Sequence, residues 1–66
     1  MNPASTPCVM VTYRIHTYRR RSYLSTTIAV IREDNERAWL EHWLSPDHPT
    51  GLNYQVELVR RDHPAT

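Results

Sequence analysis

Apolar and polar residues alternate from Val9 onward. Val9, Val11, Tyr13 and Ile15 fall on one side of an extended backbone, and Met10, Thr12, Arg14, His16 and Tyr18 on the other. A period of two carried by β-branched and aromatic residues predicts a strand. Arg19-Arg20-Arg21-Ser22 interrupts it, and a second β-rich run follows from Tyr23 to Arg32, with Leu24, Thr26, Ile28 and Val30 on one side. Folding the two runs into a hairpin with Tyr18 opposite Tyr23 sets Ile15 against Thr26, Tyr13 against Ile28 and Val11 against Val30. Each apolar residue then meets an apolar or β-branched partner on one face, a match that a slip of one residue would undo. The turn is unusual, because Arg-Arg is not the dipeptide that tight hairpin turns favour.

A different period starts at Glu33-Asp34-Asn35-Glu36. Asp34 or Asn35 can cap a helix, and acidic side chains suit its positive end. Trp39, Leu40, Trp43 and Leu44 recur with helical spacing and make a broad apolar stripe. Ser45-Pro46 ends the helix, since proline disfavours helical backbone in the residue before it. Asp47 to Gly51 reads as loop. A third strand is predicted from Leu52 to Arg60, with Leu52, Tyr54, Val56 and Leu58 on one side and Asn53, Gln55 and Glu57 on the other. Residues 1–8, with two prolines, form an irregular lead, residues 9–61 a single domain, and residues 62–66 a frayed tail.

The order ββαβ makes the helix a crossover between strands two and three. Placing strand three beside strand one gives sheet order 2-1-3, with every neighbouring pair antiparallel. The alternation fits this arrangement better than adjacent parallel strands, which read as continuous apolar runs. The fold class is therefore α+β, a three-stranded sheet with one helix packed on one face.

A chain of 66 residues allows one small domain. Ordering it costs on the order of 100 kcal/mol at roughly 1.5 kcal/mol per residue, which so small a core barely offsets. An oligomer, a bound partner or a very efficient helix-on-sheet core is the expected remedy. The longest uncharged apolar run, Ile28-Ala29-Val30-Ile31, is far short of the ~20 residues a membrane helix needs, so no membrane partner is expected. With eight basic and seven acidic residues the net charge is +1, too balanced for the whole surface to capture nucleic acid or anionic lipid. All eight basic residues are arginine, whose planar fork of donors suits carboxylates, phosphates and aromatic faces; GC-rich coding produces the same bias. Cys8 is the only cysteine, which precludes an internal disulfide and fits a reducing compartment. The first seven residues lack the basic and apolar regions of a secretory signal. The cytoplasm of the producing cell, or of a host it enters, is the expected location.

The sheet face away from the helix is expected to carry the contacts. At the hairpin end Tyr18 and Tyr23 flank Arg19, Arg20 and Arg21, with Arg14 and His16 close by. Tyrosine and arginine are enriched at protein interfaces, and stacked rings beside guanidinium groups also suit single-stranded nucleic acid. At the far end Met10, Ile31 and Val59 are expected to form an apolar patch open to a partner or to a second copy, and unpaired strand edges offer another route to a homodimer. No catalytic equipment is legible: one glycine excludes a Gly-rich phosphate loop, and one helix on one sheet leaves almost no cleft. His42, Asp47, His48 and His63, with Glu41, lack the spacing of a metal site. Neither a metal nor a cofactor is expected. The reading is a small non-enzymatic protein-interaction module, an inhibitor or adaptor of the size that phages and mobile elements carry as accessory proteins. The alternative is a nucleic-acid-binding module that uses the Tyr/Arg tip.

Overall fold

The computed structural model describes residues 7–46 and 48–64. The alternating runs form β1 (Met10–Arg19), β2 (Ser22–Arg32) and β3 (Leu52–Asp62). One turn of 3-10 helix, Glu33–Asn35, leads into α1 (Glu36–Leu44). β1 is central and antiparallel to both neighbours, giving the order β2-β1-β3. The ββαβ architecture and the sheet order 2-1-3 are those the alternation implies. Most of the expected lead, the last two residues of the expected tail and Asp47 lie outside the described residues.

Each pairing contains one irregularity, and each irregularity decides which face later residues occupy. Tyr18 pairs with Tyr23 as the hairpin requires, but Thr17 pairs with Ser25, leaving Leu24 as an extra residue. Such a bulge moves every following side chain to the opposite face. Ile15 therefore opposes Thr27 rather than Thr26, Tyr13 opposes Ala29 rather than Ile28, and Val11 opposes Ile31 rather than Val30. The small Ala29 beside Tyr13 leaves room for the Trp39 ring, whose centroid lies 4.8 Å from that of Tyr13. In exchange Ile28 and Val30 turn away from the helix and are 56% and 58% exposed.

In β3, Leu58 pairs with Tyr13 and Arg60 with Thr12, so Val59 is the extra residue. This second bulge carries Arg61 to the helix side, opposite Val11. There its two terminal nitrogens donate to the two Glu36 carboxylate oxygens at 2.9 and 2.7 Å. The ladder continues to Asp62 opposite Met10, so the first residue assigned to a frayed tail belongs to the strand.

The core is small: Val11, Tyr13 and Ile15 are buried, and Thr12 with them. α1 lies over β1 and β3, with Trp39 on Tyr13 and Trp43 edge-on to Tyr54 at 4.9 Å. Both tryptophans are half-buried and supply the bulk their spacing implies. Leu44, the last residue of the stripe, is 68% exposed, because the helix stops beside it at Ser45, extended (ψ 145°) ahead of Pro46. Asn35 takes the N-cap position without a side-chain capping bond. The start of the helix is fastened instead through Glu36, which accepts from the Tyr13 hydroxyl as well as from Arg61. At its end His48 Nε2 donates to the Trp43 carbonyl at 3.0 Å, satisfying one terminal acceptor. The radius of gyration, 14.7 Å, exceeds the about 11 Å expected for a compact chain of this length. The helix therefore shields only part of a long sheet, and β2 lies largely outside its cover.

Candidate functional site

β1 ends at Arg19 and β2 begins at Ser22, so Arg20 and Arg21 form a two-residue turn. The first central position of such a turn needs a positive φ, and Arg20 adopts φ 57°. A residue with a Cβ gives up about 1–2 kcal/mol to sit there. The loop before β3 and the start of that strand hold it in place. The Arg20 N–H donates to the Gly51 carbonyl at 2.6 Å, and Asn53 Nδ2 donates to the Arg20 carbonyl at 3.2 Å. Gly51 is itself at φ 87°, which glycine adopts without strain. Arg19, Arg20 and Arg21 are exposed, and none of them takes part in an ion pair among the described residues.

Behind the tip, the open face carries a continuous polar chain across all three strands. The Tyr18 and Tyr23 rings meet edge to face at 5.8 Å. The hydroxyls of Tyr23 and Thr26 are 2.8 Å apart, Thr26 Oγ1 is 2.9 Å from His16 Nδ1, and His16 Nε2 is 3.2 Å from Glu57 Oε1. Glu57 only accepts, so His16 Nε2 donates to it, and the Thr26 hydroxyl links the other ring nitrogen to Tyr23. Arg14 also reaches Glu57, at 3.5 Å. The hydrogen bonds from His16 and then Arg14 hold the Glu57 carboxyl below the usual carboxylate range. The order hydroxyl, imidazole, carboxylate is that of acyl-transfer triads, but here it lies on an open sheet face. Two hollows, of about 460 and 370 Å³, lie elsewhere: one between the end of α1 and the loop before β3, lined by Trp43, His48 and Tyr54, and the other beside the turn, lined by Arg20, Leu24 and Gly51.

The structure thus brings Tyr18, Tyr23 and the three tip arginines together, with Arg14 and His16 on the same face but engaged by Glu57. It does not assemble Met10, Ile31 and Val59. Ile31 opposes Val11 on the helix side, Met10 follows the other face, and Val59 sits in a bulge. Both bulges break the strict alternation on which that patch depends. The exposed apolar residues of β2 are instead Tyr23, Leu24, Ile28 and Val30. Thr26 and Glu57, which fix His16, were not singled out by sequence, and neither was Gly51, which holds Arg20. The one signal for the loop's role was that Gly51 is the only glycine.

Among the described residues no group of three His, Cys, Asp or Glu side chains could hold a metal ion. His42 and His48 pack as rings, His42 edge-on to Trp43 at 5.4 Å and His48 on Tyr54 at 4.6 Å. Among the described residues no helix is long and apolar enough to cross a membrane. The chain matches no family model, no curated protein and no solved structure.

Proposed function

We propose that this chain is a non-enzymatic protein-interaction module, an inhibitor or adaptor that engages its partner with the hairpin tip and the adjoining open face. The observation that carries the reading is the tip itself. Three exposed guanidinium groups are presented by a backbone held at a strained φ through two hydrogen bonds, one to Gly51 in the loop before β3 and one from Asn53 in β3. Strain kept in place by its surroundings clusters at sites of recognition, and a rigid scaffold lowers the entropic cost of docking. Tyr18 and Tyr23 add aromatic area beside the charges, the composition of interface hot spots. A protein partner is favoured over nucleic acid because Glu57 occupies the middle of the face, where it pairs with Arg14 and accepts from His16. A phosphate backbone crossing that face would meet a carboxylate where it needs a cation.

The test pairs capture with a salt titration. The wild-type chain, immobilised, should retain one polypeptide from its native cell or host. A variant with Arg19→Ala, Arg20→Ala and Arg21→Ala, matched in circular dichroism, should lose it. Equal capture by both would refute the tip as the site. Random oligonucleotides should not bind at low salt. Binding that weakens by ~0.7–0.9 in log affinity per log salt for each phosphate would assign the face to nucleic acid instead.

A further inference from the structure

The two outer strands present their free edges very differently. β3 carries Glu57, Arg60, Arg61 and Asp62 and is kinked by the bulge at Val59. Its uncharged stretch, Leu52 to Val56, is short and lies next to the loop that holds the turn. Charges and bulges are the devices by which sheet edges avoid pairing. β2 has neither over most of its length. Past Leu24 it pairs regularly with β1 from Ser25 to Arg32, and from Ser25 to Ile31 it reads Ser-Thr-Thr-Ile-Ala-Val-Ile, with no charge, no proline and no glycine. β-Branched residues of this kind favour strand pairing. Among the described residues β1 is the only strand that pairs with β2.

We infer that β2 pairs antiparallel with β2 of a second copy of this chain, joining two three-stranded sheets into one of six. Three observations select a second copy as the occupant. First, a two-fold axis sets a strand against itself in reverse, so any central charge would face its own like. β2 has none between Ser25 and Ile31. With the axis at Ile28, Arg32 falls beside Leu24 of the other copy rather than beside its own mate. Second, opposed residues in an antiparallel pair share a face. The exposed Ile28 and Val30 of both copies then merge into one apolar band, which answers the exposure that the Leu24 bulge imposes. Third, the pairing closes. Once both β2 edges are used, only the charged, bulged β3 edges face outward, so association stops at two. The inference is independent of the hairpin-tip reading, because the tip lies beyond the paired stretch.

Sedimentation equilibrium of the full chain over a wide concentration range tests it. The mass should rise from 7.8 kDa toward twice that value. Ile28→Lys sets like charges against each other on the axis at a site already exposed, so it should hold the chain at monomer mass with an unchanged circular dichroism spectrum. A second arm does not depend on that variant folding. In a Cys8→Ser background, single cysteines at Thr26, Ile28 and Val30 should form a disulfide dimer under mild oxidation most readily at Ile28, whereas a cysteine at Gln55 on β3 should not. A monomer at every concentration would overturn the inference, as would a dimer that Ile28→Lys leaves intact or cross-linking strongest at Gln55.

Discussion

Replacing Tyr13 by phenylalanine isolates one bond in the fastening of the helix to the sheet. Tyr13 is 5% exposed, its ring rests on Trp39, and its hydroxyl donates to the Glu36 carboxylate in the first turn of α1. Phenylalanine keeps the ring contact and removes only the donor. A buried hydrogen bond to a charged acceptor contributes about 1.5–3 kcal/mol. Glu36 retains both bonds from Arg61 and is not stranded, which places the expected loss near the low end, about 1.5 kcal/mol. For a domain of this size that lowers Tm by about 6–12 °C. Tyr13→Ala also loses the ring and should cost about 3–5 kcal/mol. Urea titrations followed by tryptophan fluorescence at one fixed protein concentration measure both, because self-association makes stability depend on concentration. In an Arg61→Gln background, Tyr13→Phe should cost more than it does alone, since the carboxylate then keeps neither charged nor phenolic donor. A Tyr13→Phe variant as stable as wild type, or strict additivity with Arg61→Gln, would refute the fastening.

The pH dependence of stability should have two limbs. Glu36 is held below the ordinary glutamate value of 4.5 by hydrogen bonds from Arg61 and then Tyr13, and Glu57 by those from His16 and then Arg14. Their contribution is complete above 4.5 and is lost as pH falls through the lower folded values, so the urea midpoint should drop on acidification and drop less in Arg61→Gln. Tyr13 is raised above the ordinary value of 10.0, first by burial and then by its bond to Glu36; its contribution is present below 10 and disappears as pH rises through the folded value, a limb that Tyr13→Phe should abolish. Arg20→Gly should stabilise the chain by about 0.5–1 kcal/mol, relief of the left-handed strain exceeding the added freedom of the unfolded chain; a loss on thermal melting would show that the arginine side chain supports the turn. Trp43→Ala removes the ring that meets Trp39, His48 and Tyr54 and should cost about 2–3 kcal/mol, since the residue is only half-buried; an unchanged urea midpoint would sink that role.

The element order, the strand limits to within a residue or two and the β2-β1-β3 arrangement were legible because they rest on periodicity, which each residue of a run repeats. The faces of β1 and of β3 up to Leu58 were legible for the same reason. The face of β2 was not. Both Leu24-Thr26-Ile28-Val30 and Thr27-Ala29-Ile31 alternate, and apolarity alone favours the first set. What decides is volume, since the place beside Tyr13 must leave room for Trp39, a tertiary contact with no local signature. The same limit applies to the site. Tyr18, Tyr23 and the arginines are neighbours in sequence and could be grouped from it. Glu57, which engages Arg14 and His16, and Gly51, which holds Arg20, come from the far end of the chain and reach the hairpin only once β3 lies beside β1.

The Leu24 bulge links the core to the outer surface, and removing it separates the two. In the present pairing Tyr23 opposes Tyr18 and Ser25 opposes Thr17, so Leu24 has no partner of its own. Deletion of Leu24 lets Ser25 follow Tyr23 directly and restores plain alternation while leaving every pair from Thr17 to Met10 as it is. Leu24 is 48% exposed, so little burial goes with it, and the change in stability should stay within about 0.5 kcal/mol, as for other exposed positions. Nuclear Overhauser contacts between the Ala29 methyl and the Tyr13 ring should persist, and a cysteine at Ile28 should react with thiol reagents as fast as in the full-length chain. Deletion of Thr27 is the contrasting case, because it shifts Ser25 and Thr26 against β1, breaks the His16 to Thr26 bond and should cost far more. If the Leu24 deletion instead buried position 28 and lost the Ala29 to Tyr13 contact, the register would be set by the hairpin end and not by the fit of the small Ala29 beside Tyr13.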